Sequence, residues 1–522
     1  MNRETIWEEV IARQPWDILV VGGGITGAGV FREAVRLGVR ALLLEQRDFA
    51  WGTSSRSGKL VHGGLRYLRQ GDLHLTWESA REREHLLREA PGLVEPLGFL
   101  IPVYNLTERL VLGLGLAVYD LCVGRRHHRY VPEETFWLLA PHVNRENLRG
   151  GFWYREASTD DARLVLRLIW EGIREGGWAL NYARVLGLLR RRTGQVVGVV
   201  VRDEVTGKTA EVMAQAVVNA TGAWADRLRG ELGQPPRMRP LRGTHLLFPG
   251  WRFPLAQAVG FFHPVDRRPL YALPWAGATL VGTTDVDHTE DLEDEPRATG
   301  EEVAYLLTAL RHAFPHLDLE PADVLATFAG VRPVVGRGKE DPSREPREHT
   351  VWYEDGLLTV TGGKLTTFRV LAHDALRVLR RHLRLPVPFR RMPLLDTPPI
   401  APPTEMDTET WRWLLGRYGK DAPAVIASAS PEMWARVGDT PFRWAEVWWA
   451  LQREQVVHLD DLLLRRVRVG LLLPDGGMRF LAHIKPWCQR WLGWDDARWQ
   501  AEVQRYQELL RTVYQGPEVG NG

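Results

Sequence analysis

The chain has 522 residues, 44% hydrophobic and 25% charged, the make-up of an ordinary globular protein of two or three domains. Its formal net charge of +2 gives no case for a nucleic-acid partner. Two cysteines, Cys122 and Cys488, rule out a disulfide framework and fit a reducing compartment; no apolar run reaches the ~18 residues of a membrane-spanning helix, and the charged stretch Met1 to Pro15 lacks the apolar core of a signal peptide.

The first predicted strand is Asp17 to Val21. It meets Gly22-Gly23-Gly24-Ile25-Thr26-Gly27, and a helical pattern follows from Ala28 to Leu37. A second apolar run, Ala41 to Leu44, ends on Glu45-Gln46. Strand, Gly-rich turn, helix, strand and acid together form a dinucleotide fingerprint in its required context. Gly22 permits the tight turn, Gly24 lets a pyrophosphate reach the backbone, and Gly27 lets helix and strand pack closely. Ile25 and Thr26 open the helix, whose N-terminal N–H groups favour an anion. Glu45, 18 residues after Gly27, is placed for ribose hydroxyls. A glycine turn without a nucleotide is the alternative, and the flanking strands and the acid argue against it. The motif alone does not separate NAD from FAD.

The next segment does. Thr53-Ser54-Ser55-Arg56-Ser57-Gly58-Lys59-Leu60-Val61-His62-Gly63-Gly64-Leu65-Arg66-Tyr67 is dense in small polar and basic residues. It resembles the stretch after the second strand in the respiratory, FAD-dependent glycerol-3-phosphate dehydrogenase family. That resemblance implies non-covalent FAD, with Thr53, Ser54, Ser55, Lys59, His62, Gly63 and Gly64 among its contacts.

Residues 72–95 read as a helix, and Phe99 to Val103 as a strand closed by a turn. Leu110 to Val123 is a nearly continuous apolar stretch, followed at once by Arg125-Arg126-His127-His128-Arg129. It is too short to cross a bilayer. It either lies in the membrane interface with its basic flank on anionic headgroups, or is a buried helix with a solvated basic end; the family resemblance favours the membrane. Asp161 precedes an apolar-periodic run and reads as a helix cap. Strands follow over Val196 to Val201, Glu211 to Met213 and Ala216 to Ala220, the last running into Thr221-Gly222. By resemblance, Ala220, Thr221 and Gly222 make a second FAD contact.

Residues 239–325 alternate strand and turn and predict an antiparallel sheet that covers the flavin, with a helix from Glu301 to Phe314. Phe328-Ala329-Gly330-Val331-Arg332-Pro333 and Thr361-Gly362-Gly363-Lys364-Leu365-Thr366 then return the chain to the cofactor, both in close match to the family. The second opens another helix, whose N-terminus suits an anionic reduced flavin. Seven prolines between Pro386 and Thr404 predict a stiff linker, and a Trp-rich helical region follows, its Trp residues read as core.

Together these readings give an α/β chain with the FAD-binding two-dinucleotide fold of the glutathione-reductase and D-amino-acid-oxidase type. Residues 15–75, 150–235 and 326–385 are assigned to the FAD-binding domain. Residues 76–149 and 236–325 form the inserted substrate domain, 386–404 the linker and 405–516 the C-terminal helical domain. The resemblance, over about residues 16–470, implies oxidation of sn-glycerol 3-phosphate to dihydroxyacetone phosphate. A hydride leaves C2 for flavin N5, and a proton leaves the C2 hydroxyl. Arg66, Arg332 and Lys364 form the cationic set, with Tyr67 adding a hydroxyl. His245, in Gly243-Thr244-His245, is the expected base and His62 the second candidate. The family has Ser where this chain has Thr244.

No metal site is expected. No second fingerprint for NAD(P) is present, so quinone in a membrane is the expected acceptor. The protein is then peripheral on the cytoplasmic face, with a homo-oligomer left open. The alternatives are a glycerol-3-phosphate oxidase that uses O2 and an amine or hydroxy-acid oxidase of the same fold. The last needs a carboxylate clamp, for which one Arg suffices; three cations argue for phosphate.

Overall fold

Trp16–Val21 and Ala41–Leu44 are almost wholly apolar, as suits parallel strands covered on both faces. They form the centre of the first sheet in the computed structural model, which describes residues 3–65, 72–124, 128–339, 345, 348–382, 393–398, 400–403 and 406–515. Its strand order is His349–Glu354, Leu357–Gly362, Thr209–Asn219, Trp16–Val21, Ala41–Leu44, Trp178–Leu180. All pairs are parallel except the edge pair of His349–Glu354 with Leu357–Gly362. The strands Ala183–Arg190 and Val196–Asp203 extend Thr209–Asn219 as an antiparallel ribbon. Helices Ile25–Arg36, Asp161–Arg174 and Phe368–Arg380 pack on one face, where Ile18, Val20, Phe31, Leu168 and Ala372 are fully buried. The other face buries Leu19, Leu42, Val199 and Val212.

The second sheet has ten strands and is antiparallel except where Ala258–Phe262 runs parallel to Val94–Pro102. Its middle, Met238–Pro249, Pro269–Trp275 and Ala278–Gly282, lies where a substrate sheet is expected. It also takes in Leu60–Val61, Gly151–Thr159 and Ala326–Val335, which the sequence reading assigns to the FAD-binding domain. Ala326–Val335 pairs along its whole length with the strand that carries His245, Phe328 opposite His245 and Arg332 opposite Leu241. A motif shows which residues reach a cofactor, not which sheet hydrogen-bonds their strand. Both long strands therefore pair within the second sheet.

The predicted Leu110–Val123 segment belongs to a helix, Leu106–Val123, capped by the Asn105 side chain on the Glu108 N–H. Leu116 and Tyr119 are fully buried, whereas Leu106, Leu110, Val111, Leu114 and Leu121 are 60–80% exposed. The buried-helix alternative therefore holds for one side only. No helix among the described residues is long and apolar enough to cross a membrane. Arg125, Arg126 and His127 lie outside the described residues. Arg129 stacks over Trp153 at 5.1 Å.

Only part of the Pro-rich stretch is described, and that part is no free spacer: Leu394 and Leu395 are buried in the first core. Helices Thr408–Tyr418, Ala422–Ser428, Trp444–Arg453, Leu481–Leu492 and Asp496–Leu509 make the C-terminal region. Trp411, Trp494 and Trp499 are buried within it. Residues Leu462–Arg466 form a π-helical turn that sends Arg465 and Arg466 into the FAD-binding body, where both bond the Asp48 carboxylate.

Candidate active site

The first strand, its turn and the helix Ile25–Arg36 build a groove. Gly22 has φ +111°, and a Cβ there would lie 2.5 Å from the Ala220 carbonyl oxygen, so the turn needs glycine. Gly27 faces away from the groove: a Cβ there would lie 1.9 Å from the Gly22 carbonyl oxygen, so the helix rests directly on the turn. Gly22, Gly24, Ile25 and Thr26 line the groove at the helix N-terminus. The Ile25 N–H donates to Ser54 Oγ at 2.9 Å. Glu45 accepts from the N–H groups of Gly23 at 2.6 Å and Arg47 at 2.8 Å. Burial raises its carboxyl pKa, with those two bonds opposing. Gln46 stands beside it, and Ala220, Thr221 and Gly222 form the opposite wall.

At its far end the groove is lined by Thr53, Ser57, Pro333 and Gly362–Leu365, and the same residues line a second cavity of about 600 Å³. A long anionic dinucleotide fits this run: an acid at one end, a helix N-terminus in the middle, and a Gly-Gly-Lys turn ahead of a second helix at the other. The ring system of such a ligand would lie where groove and cavity meet.

His245, Tyr271, Arg268, Asp285, Arg332 and Lys364 give the cavity polar groups. Leu65, Phe99, Ile101, Val111, Leu112 and Tyr154 give it apolar ones. His245 is 2% exposed and stacks on Phe328, its neighbour across the ladder, at 4.9 Å between ring centroids. Its Nε2 is 3.3 Å from the Tyr271 hydroxyl. Burial, then Arg332 and Lys59, push its pKa well below the ordinary imidazole value, so the ring is neutral at neutral pH and can accept a proton. Burial pushes the Tyr271 phenol up to about 12, which keeps its proton on. Arg332 Nη1 bonds Asp285 Oδ1 at 2.9 Å and Nη2 bonds Thr283 Oγ1 at 3.0 Å. His62 lines the same cavity, and its N–H donates to Thr366 Oγ1 at 3.2 Å. Arg66 and Tyr67 lie outside the described residues.

Ser55, Lys59, Gly63 and Gly64, expected at the cofactor, do not line the groove or the cavity. Lys59 is fully buried, and its Nζ donates to Ser55 O at 2.7 Å and to both oxygens of Asp161 at 2.8 Å. Gly63 donates its N–H to Glu156 in the interior. Asp161 is not the cap of its helix: Asp160 is, accepting from the Arg163 N–H. Two adjacent acids begin that helix, and the first has the extended backbone a cap requires. Asp161 instead takes the Ser57 N–H and hydroxyl, Lys59 and Arg468. It is a buried hub that holds the 55–59 segment, and hence Ser57 and Gly58 in the cavity wall, against the C-terminal region.

Tyr271, Arg268 and Asp285 have no role in the sequence reading. Arg268 sits in an Arg-Arg turn, and 61 of the 67 basic residues here are Arg, since six are Lys. Nothing local marks it. The one usable signal is Thr283-Thr284-Asp285, a polar run that directly follows a buried strand.

Comparison with known proteins agrees with this geometry. The family model described as FAD dependent oxidoreductase matches residues 17–369, and the C-terminal domain of alpha-glycerophosphate oxidase matches 368–499. The aerobic glycerol-3-phosphate dehydrogenase of Bacillus subtilis is 38% identical over 383 residues, 72% of this chain and 68% of that one. The glycerol-3-phosphate dehydrogenase of Bacillus halodurans, solved with FAD, superposes with a TM-score of 0.78 at 29% identity, covering 98% of this chain and 96% of that chain. The L-alpha-glycerophosphate oxidase of Mycoplasma pneumoniae, also with FAD bound, gives 0.58 at 19% identity over 70% of this chain and 94% of its own, a likeness of fold alone.

Proposed function

This chain belongs to the aerobic, FAD-dependent glycerol-3-phosphate dehydrogenase family, and from that premise we propose that it oxidises sn-glycerol 3-phosphate to dihydroxyacetone phosphate. The observation that carries the reading is the cavity at the end of the FAD groove, whose lining brings a buried, neutral His245 together with Arg332 and Lys364. FAD, when bound, supplies the acceptor for the hydride of C2. The chain does the rest. Arg332 and Lys364 hold the phosphate and fix the substrate's orientation, and the contacts expected of Arg66 and Tyr67 lie outside the described residues. His245 takes the proton of the C2 hydroxyl at Nε2, the nitrogen beside Tyr271. The Arg332 guanidinium steadies the negative charge that develops on that oxygen. The lining of Leu65, Phe99 and Ile101 keeps water from the reacting carbon.

The electron acceptor in this reading is a membrane quinone, and the protein sits peripherally on the cytoplasmic face. The support is the helix Leu106–Val123. Its outer side exposes Leu106, Leu110, Leu114 and Leu121, while Val111, Leu112 and Gly115 line the active-site cavity. An apolar face seated in the headgroup region brings the part of the cavity lining that this helix supplies next to lipid. Turnover tests both parts. Glycerol 3-phosphate should drive reduction of a soluble quinone with dihydroxyacetone phosphate as product, and O2 uptake should be at least tenfold slower. O2 uptake at the quinone rate would make the protein an oxidase, and no dihydroxyacetone phosphate with any acceptor would refute the substrate.

A further inference from the structure

The cavity lining holds two guanidiniums on one carboxylate. Asp285 has a side chain 1% exposed. Its Oδ1 bonds Arg332 Nη1 at 2.9 Å, and its Oδ2 bonds Arg268 Nη2 at 3.1 Å. The two arginines also share a backbone turn: Arg268 Nε donates to Thr283 O, while Arg332 donates to Thr283 Oγ1 and Thr284 O. Arg268, Asp285 and Arg332 therefore form one hydrogen-bonded unit across one strand and two loops.

The charge count decides what this unit does. Arg332 with Asp285 alone is a neutral pair, and a neutral pair gives little attraction for an anion. Arg268 on the second oxygen makes these three side chains together cationic, and Lys364 lines the same cavity. Among the described residues, three further charged groups of the lining pair with groups outside it. Arg56 pairs with Glu295, Glu156 with Arg83, and Glu348 with Arg337. His245 is neutral.

We propose that Arg268 is a substrate-specificity residue, which by sharing Asp285 with Arg332 gives this wall the net positive charge that selects a dianionic phosphomonoester. The inference rests on the phosphomonoester reading above and assigns its charge selection to a residue outside the expected set. Arg332 is split between aligning the substrate and holding its own carboxylate. Arg268 releases it from full neutralisation, so removing Arg268 should act on binding more than on the chemical step.

The test titrates inorganic phosphate into the FAD-loaded protein at constant ionic strength, read by the flavin absorbance and by calorimetry. Wild type should bind phosphate, and Arg268→Leu should weaken that binding at least tenfold, within the range of a charge-assisted contact. Arg268→Lys, which keeps the charge and loses the fork, should fall between. Arg190→Leu, on the exposed surface, is the control and should change nothing. In turnover Arg268→Leu should raise KM for glycerol 3-phosphate at least tenfold with kcat within threefold, and flavin content unaltered. Phosphate bound equally by wild type and Arg268→Leu, or not bound by wild type, would overturn the proposal. So would a fall in kcat at constant KM. Arg268-dependent phosphate binding without oxidation of glycerol 3-phosphate leaves this inference standing and removes the substrate reading; oxidation with kinetics indifferent to Arg268 does the reverse.

Discussion

Arg332 and His245 are legible in the sequence because each sits in a short stretch that matches a family, and both line the active-site cavity. Lys59 belongs to an equally good match, yet its amine points into the interior toward Asp161. A motif records that a residue is needed; whether it touches the ligand or braces what does depends on tertiary contacts. Arg268 shows the opposite gap, since a cavity-lining guanidinium in an Arg-rich chain carries no local mark. Replacing Arg332 by Ala removes a charge-assisted contact of ~1.5–3 kcal/mol, so kcat/KM should fall at least tenfold while FAD stays bound. Unchanged kinetics would remove Arg332 from the site. His245 gives a pH signature. Its pKa is held down by burial and then by Arg332 and Lys59, so kcat/KM should stay level as pH falls through about 6.5, and decline only below it. The stability term has the matching sign: the fold favours the neutral ring, so this contribution is complete above about pH 6.5 and is lost as pH falls below it toward the folded-state pKa. A kinetic limb at or above the ordinary imidazole value would show that another group is the base.

At the scale of elements, the apolar stretch Leu110 to Val123 marks a helix that the structure extends back to Leu106, but not its exposure. A nearly continuous apolar stretch reads the same whether it is buried or not, and only packing shows that Leu116 and Tyr119 turn inward while Leu110 and Leu114 face out. The parallel strands were legible for the same reason, since short apolar runs joined by a Gly turn have few other solutions. The strand Ala326–Val335 lies in a segment that the motifs assign to the FAD-binding domain, and its ten-residue ladder with Met238–Pro249 in the second sheet is a non-local property that no motif records. Burying a leucine is worth about 1.5–3 kcal/mol. Leu110→Asp with Leu114→Asp should therefore abolish co-sedimentation with anionic liposomes and slow reduction of a long-chain quinone held in them. Reduction of a soluble dye should be unchanged, because neither side chain lines the cavity. Equal sedimentation of variant and wild type would place the lipid contact elsewhere.

At the scale of the whole molecule, the C-terminal region braces the active site through buried ion pairs. Asp48 receives Arg465 and Arg466, Asp161 receives Arg468, and Arg163 is paired with Glu454. Burial alone would raise the Asp48 pKa; Arg466 and Arg465 outweigh it and hold the carboxylate below its ordinary range. Asp48→Asn leaves two buried guanidiniums short of charge, at a cost of about 3–5 kcal/mol. Its Tm should fall well below that of wild type, and the segment after residue 405 should become the first site of proteolysis. A wild-type melting curve would mean that the two regions are held by their apolar contacts alone. Residues, elements and the C-terminal brace converge on the proposed activity, oxidation of a phosphorylated secondary alcohol in the cavity that meets the FAD groove. Anaerobic mixing of the FAD-loaded protein with sn-glycerol 3-phosphate tests it most directly. Rapid bleaching of the oxidised flavin is expected, with about one dihydroxyacetone phosphate per flavin, and none with glycerol or with His245→Gln on the same timescale. A flavin that stays oxidised in excess glycerol 3-phosphate, or bleaches as fast with glycerol, would contradict it.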